Sequence, residues 1–261
     1  MAKIIALSNQ KGGVGKTTTA INLATAMAAC GYNTLVIDFD PQGNATTGFG
    51  LDKANLKNNV YTVLTERCTA ADAIYPTAVP RVSVMPSTVH LSGAEVELAA
   101  VVAREYRLKN ALEPVAGQYD YVFIDCPPSL GMLTINALTA SDEVLVPLQS
   151  EFFALEGLSQ LFRTIELVKK SLNSRLRLMG VLLTMYDKRN KLSTLVEDDV
   201  RAYLGGKVFK TIIPRNVRVS EAPSHGKPVL VYDITCPGSR AYMSLAAEIL
   251  KGTTEGSEVA A

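Results

Sequence analysis

Ser8-Asn9-Gln10-Lys11-Gly12-Gly13-Val14-Gly15-Lys16-Thr17-Thr18 is the stretch on which the reading of this 261-residue chain turns. An apolar run, Ile4–Ser8, leads into it, and a helix-compatible run of small and apolar residues, Thr17–Cys30, follows. Strand, glycine-rich turn, Lys-Thr and helix in that order form a phosphate-binding loop. Gly12, Gly13 and Gly15 let the backbone bend so that successive N–H groups point into one concavity. The N-terminus of the helix adds a field that favours an anion. In such a loop Lys16 reaches the β- and γ-phosphates of a nucleotide, and the Thr17 hydroxyl ligates Mg²⁺. Gly12, Gly13, Val14, Gly15, Lys16, Thr17 and Thr18 are therefore expected to line an ATP site.

Outward from the loop, short apolar runs alternate with helix-length amphipathic stretches. The strand candidates are Ile4–Ser8, Thr34–Asp38, Val82–Pro86, Tyr121–Asp125, Glu143–Pro147, Leu178–Thr184 and Lys210–Pro214. Several are continuous Val/Ile/Leu runs, as suits parallel strands covered on both faces. Helices are expected at Thr17–Cys30, Glu95–Leu112, Met132–Thr139, Leu155–Leu172, Thr194–Leu204 and Arg240–Leu250. This alternation predicts an α/β fold, a doubly wound, mostly parallel sheet with helices on both faces. With no repeat and no Gly/Ser-rich linker, residues 1–251 read as a single ATPase domain and 252–261 as a flexible C-terminal tail.

Three aspartates end strand candidates. Asp38 and Asp40 follow Thr34–Ile37, and Asp125 follows Tyr121–Ile124. Carboxylates at the C-terminal ends of parallel strands face the ligand crevice. Asp125 is expected to hold Mg²⁺ through water, Asp38 to support the metal shell, and Cys126-Pro127-Pro128-Ser129 to form a loop that senses the γ-phosphate.

Composition is that of an ordinary globular protein, 48% hydrophobic and 20% charged. Four cysteines at 30, 68, 126 and 236 lack the pairing of a zinc or iron–sulfur site. No stretch reads as a membrane span or a cleavable leader, so a cytoplasmic protein is expected. The net charge of +1 is unevenly distributed: residues 1–162 carry −5, residues 163–227 carry +8 and residues 228–261 carry −2. The basic region includes Lys188, Arg189, Lys191, Arg201, Lys207, Lys210, Arg215, Arg218 and Lys227. Several cations on one face suit duplex phosphates, and without a recognition motif the binding would be independent of base sequence.

The loop also carries a second lysine, with Gln10 where the general pattern has glycine. Lys11-Gly12-Gly13-Val14-Gly15-Lys16-Thr17 resembles the deviant Walker A loop of the ParA/MinD class of ATPases. Asp38-Phe39-Asp40-Pro41-Gln42-Gly43-Asn44, Asp125-Cys126-Pro127-Pro128-Ser129-Leu130-Gly131, Ile213-Pro214-Arg215-Asn216-Val217 and Glu221-Ala222-Pro223-Ser224-His225-Gly226-Lys227-Pro228 narrow the resemblance to chromosomal ParA (Soj) partition ATPases, over roughly residues 1–250. The resemblance implies an ATP-dependent sandwich homodimer in which Lys11 reaches the partner's nucleotide. It implies that Asp40 positions the attacking water, so that Lys11, Lys16 and Asp40 form the catalytic set. It further implies that Pro214 and Asn216 contact adenine, with Met185 as an added apolar face, and that Arg189, Arg218 and Lys227 touch non-specific double-stranded DNA. Slow hydrolysis stimulated by a ParB/Spo0J-like partner and nucleoid association complete the expectation.

Two readings compete. A MinD-like membrane-cycling ATPase needs a terminal basic amphipathic helix, whereas Ser239–Lys251 carries only Arg240 and Lys251 and is followed by Glu255 and Glu258. A non-enzymatic, nucleotide-gated binding switch stays open.

Overall fold

The computed structural model describes residues 2–151 and 154–258. Among the described residues there are seven strands: β1 Lys3–Leu7, β2 Thr34–Asp38, β3 Tyr75–Pro76, β4 Val82–Met85, β5 Tyr121–Asp125, β6 Glu143–Gln149 and β7 Arg177–Thr184. They form one sheet in the order β3-β4-β2-β5-β1-β6-β7, parallel except for the β3–β4 pair. β2 and β5 are buried along their whole length, as their unbroken Leu/Val/Ile/Phe runs require for strands covered on both faces.

The helices are α1 Lys16–Ala29, α2 Asn44–Gly48, α3 Val60–Leu64, α4 Leu91–Glu97, α5 Arg107–Ala116, α6 Met132–Ala140, α7 Ala154–Ser171, α8 Lys191–Leu204, α9 Val217–Glu221, α10 Val229–Tyr232 and α11 Pro237–Glu258. One apolar layer joins Leu35, Ile37, Val122 and Ile124 to Leu112, Leu133 and Leu161. The opposite layer joins Ile5, Leu7, Val36 and Phe123 to Leu23, Met27, Tyr242 and Leu245 of α1 and α11. Period-2 alternation along β2 and β5 thus sends successive side chains to different layers, which is the doubly wound arrangement expected.

Two expectations are corrected, and one strand is added. Lys210–Pro214 is not a strand: it meets the β7 side through the isolated Tyr186–Pro214 bridge and the Ile213 N–H, which donates to the Leu183 carbonyl at 2.9 Å, with Val181–Val208 a second isolated bridge just before it. The N–H groups of Lys210 and Thr211 donate to the Glu248 carboxylate of α11, at 2.7 and 2.8 Å, and so cannot extend a ladder. The helix expected over Glu95–Leu112 is broken. Val101 is extended and Ala103 is left-handed at φ 56°, so α4 and α5 are separate, joined by two short 3₁₀ turns. The β-branched pair Val101-Val102 disfavours a continuous helix there. The antiparallel edge strand β3 had no signal, because two residues ending in proline carry no periodicity. Finally, α11 runs on through 252–258. Gly252 weakens a helix by only about 1 kcal/mol and no proline follows to end it.

Parallel register brings the functional ends together. Asp38 of β2 pairs with Asp125 of β5, which pairs with Leu7 of β1. On the other side Gln149 of β6 pairs with Thr184 of β7. Every loop singled out by the sequence therefore leaves the same edge of the sheet.

Candidate nucleotide site

The loop after β1 is anchored by side chains that sequence reasoning did not select. Asn9 donates from Nδ2 to the Pro147 carbonyl (2.8 Å) and accepts the Lys11 N–H on Oδ1 (3.0 Å). The Thr184 hydroxyl donates to the Val14 carbonyl at 2.8 Å. Gly13 (φ 75°) and Gly15 (φ 89°) hold left-handed conformations that a side chain would strain. Gly12 has ordinary φ and lies beside Pro128 of the loop after β5. Gly15 caps α1 without any side-chain acceptor, so the first N–H groups of the helix remain open to an anion.

Lys16 is only 6% exposed. Its ammonium donates to the Lys11 carbonyl at 3.2 Å. Burial lowers its pKa, and the charges of Asp125, Cys126 and Asp40 oppose that shift. Such a desolvated cation facing carboxylates is ready for a polyanionic ligand with its own cation. Thr17 and Thr18 are half-buried beside it.

Asp38 and Asp125 are both fully buried. Asp38 Oδ2 accepts the Thr46 N–H (2.7 Å) and the Thr46 hydroxyl (2.6 Å), while its Oδ1 lacks a partner. Burial raises the Asp38 pKa to about 6 despite these bonds. Asp125 has neither oxygen partnered. Burial raises its pKa well above the ordinary carboxylate range; Asp38 adds to the rise, and Thr17 and Lys16 offset part of it. Buried oxygens without donors beside a threonine hydroxyl fit a hard divalent cation held through water and phosphate. Among the described residues no group of three or more His, Cys, Asp or Glu could form an all-protein metal cage. Asp40 is half-buried, and its Oδ1 accepts the Gln42 N–H at 2.9 Å, which sets the turn into α2. Cys126 is buried, and its thiol pKa is raised by that burial.

Lys11 is exposed, and its ammonium pairs with Glu151 Oε2 at 2.5 Å. The Arg215 N–H donates to the Tyr186 carbonyl at 3.0 Å beside the Tyr186–Pro214 bridge, so Pro214 lies opposite the residue that follows Met185. Met185 is left-handed at φ 51°, and a Cβ on Gly15 would lie 3.8 Å from its Cε, so it adjoins the phosphate loop. Asn216 caps α9 by accepting the Val219 N–H at 3.3 Å.

The basic candidates are exposed, and two of them are already paired. Arg189 makes a two-pronged bond to Asp187, both contacts 3.0 Å. Arg218 lies between Glu221 (3.0 Å) and Asp233 (3.6 Å). Lys227 is exposed just before buried Pro228. No helix among the described residues is long and apolar enough to cross a membrane.

A glycine-rich turn between β1 and α1, a buried lysine at the helix start and carboxylates on the neighbouring strand ends define a P-loop nucleoside triphosphatase with two lysines in its loop. A family model described as an AAA domain matches residues 2–178. The chain is 58% identical to the chromosome partitioning protein ParA of Caulobacter vibrioides, over 95% of this chain and 94% of that one. It is 55% identical to the sporulation initiation inhibitor protein Soj of Bacillus subtilis, over 95% and 98% of the two chains. The chain belongs to the ParA/Soj family of chromosome-partitioning ATPases. Among solved structures, cobyrinic acid a,c-diamide synthase from Mycobacterium smegmatis with bound ADP and magnesium shares the fold, with a TM-score of 0.87, 37% identity and coverage of 98% and 97%.

Proposed function

We propose that this protein is an ATP-dependent DNA-partitioning ATPase. Two ATP-bound subunits pair face to face, the dimer holds duplex DNA without reading its sequence, and hydrolysis stimulated by a ParB/Spo0J-like partner releases it. The carrying observation is the convergence of buried Lys16 and the two buried, incompletely bonded carboxylates Asp38 and Asp125 on a loop with open helix N–H groups.

In this reading residues 1–251 act as one ATPase domain. Gly12 to Thr18 wrap the phosphates, and Lys16 neutralises the β- and γ-groups. Thr17 directly, and Asp38 and Asp125 through water, would hold Mg²⁺, which would supply further charge neutralisation at the transferring group. Lys11 swings from Glu151 to the partner's γ-phosphate, a second cation present only in the dimer. Asp40 orients the attacking water. Met185, Pro214 and Asn216 border the adenine. Arg189 and Arg218 exchange their present carboxylate contacts for DNA phosphates, and exposed Lys227 joins them there. Pairing two basic surfaces doubles the phosphate contacts, so affinity rises on dimerisation. The same reading places the protein in the cytoplasm, on the nucleoid.

The test is a salt titration of DNA binding with ADP, ATP and a non-hydrolysable ATP analogue, with anionic lipid vesicles as a parallel ligand. Binding to DNA with ATP and the analogue alone is expected. Equal binding with ADP, or binding to vesicles instead of DNA, overturns the reading.

A further inference from the structure

Two contacts outside the phosphate loop tie it to the basic segment. Asn22 lies in the second turn of α1 and is 3% exposed. Its Nδ2 donates to the Thr18 carbonyl at 2.8 Å, and its Oδ1 accepts the Val229 N–H at 2.7 Å. Asparagine is a poor choice for the interior of a helix, and both ends of this amide are engaged. One end lies on the residue that closes the phosphate loop, the other two residues beyond Lys227.

The second contact starts from the Asp40 side. The turn at Asp40 leads into α2, whose Thr46 holds Asp38 and also accepts the Ser87 N–H at 3.0 Å. Just past α2, Gly50 (φ 76°) packs on Gly226 (φ 60°) backbone to backbone. A Cβ on Gly50 would lie 2.9 Å from the Gly226 carbonyl oxygen, and one on Gly226 would lie 2.7 Å from the Gly50 Cα. Surfaces that close cannot slide past one another without both moving. Residues 226–229 are thus gripped from the phosphate loop through α1 and from the Asp40 turn through α2. Lys227 stands on that stretch, and Arg218 stands on α9, eight residues before Gly226.

We propose that Asn22 is a positioning residue. With the Gly50–Gly226 contact, it passes the nucleotide state of the loop to the segment that carries Arg218 and Lys227. The inference rests on the DNA-binding reading above and adds its route. Coupling of this kind is reciprocal: if ATP tightens DNA binding, DNA tightens ATP binding by the same factor.

The experiment uses the full chain with Asn22→Leu, which keeps bulk and removes both bonds, and separately with Gly50→Ala, which forces the second contact apart. The readout is the ratio of DNA affinities with the ATP analogue and with ADP, together with analogue affinity with and without DNA. Coupling between sites is typically about 5–150-fold, so each variant is expected to lower the ratio at least about fivefold. Analogue affinity without DNA should be unchanged, and DNA should no longer tighten the analogue. An unchanged ratio in both variants overturns the proposal. So does Asn22→Leu losing analogue affinity while Gly50→Ala keeps the ratio, since Asn22 would then serve only the fold of the loop. A wild-type chain with no difference between the two nucleotides instead removes the DNA-binding reading itself.

Discussion

Lys11 and Glu151 are joined by an ion pair of 2.5 Å, so the lysine expected to cross to a partner subunit is held by its own chain. Both side chains are about half exposed, which makes the pair weak, in the range of about 0–1 kcal/mol. Glu151→Gln is expected to free Lys11 in both subunits and shift the dimer dissociation constant with the ATP analogue downward, by at most about thirtyfold for two pairs. Sedimentation over a concentration series measures this. A shift to higher concentration would mean that Glu151 supports the dimer instead of restraining it.

Asp40 accepts a backbone N–H from its own turn and is only half-buried, so its removal leaves the carboxylates at Asp38 and Asp125 in place. Asp40→Ala should slow ATP hydrolysis by about 10²–10⁴-fold, the usual contribution of a positioned base. With ATP it should give a dimer that persists on DNA. Phosphate release and DNA retention after ATP chase are the measurements, and rapid dissociation of this variant would remove Asp40 from its assigned role.

Arg189 and Arg218 each sit beside a carboxylate, yet both stay exposed. The double substitution Arg189→Ala, Arg218→Ala is expected to weaken DNA binding equally for unrelated sequences. It should flatten the dependence of log K on log salt by about 0.9 for each DNA phosphate that is no longer neutralised. The dimer should form as before. Unchanged affinity and slope would show that the DNA surface lies elsewhere.

Asp38 fixes the sign of a pH effect in the nucleotide-free protein. Its folded-state pKa, raised by burial to about 6, exceeds the ordinary carboxylate value of 3.8. Its contribution is therefore fully present below about pH 4 and is lost as pH rises through 6, by about 3 kcal/mol in all. Asp38→Asn should flatten that part of the stability curve, measured by urea denaturation between about pH 4 and 7. A curve that keeps the wild-type slope in this window contradicts the assignment.

Much of this was legible in the residues because it depends on local signals. The phosphate loop declares itself by spacing, and β2 and β5 do so by unbroken apolar runs closed by aspartate. Asn9, Thr184 and Asn22 escaped notice, because each acts through a bond to residues distant in sequence, 138 to 170 positions away for Asn9 and Thr184 and 207 for Asn22. Nothing near a lone threonine or asparagine announces such a partner. The Lys210–Pro214 segment misled for the same reason: its apolar pattern is strand-like, but the amides of Lys210 and Thr211 are claimed by Glu248 from another element. The ParA/Soj resemblance rested on motif order, and the relatives at 58% and 55% identity bear it out.

The phosphate loop is fastened to β6 and β7 through Asn9 and Thr184, whereas the buried carboxylates belong to β2 and β5 on the other side of β1. A nucleotide seated between them would act as a non-covalent staple across the midline of the sheet. Amide hydrogen exchange should then slow in β2 and β7 together when ATP analogue is added, although those strands never touch.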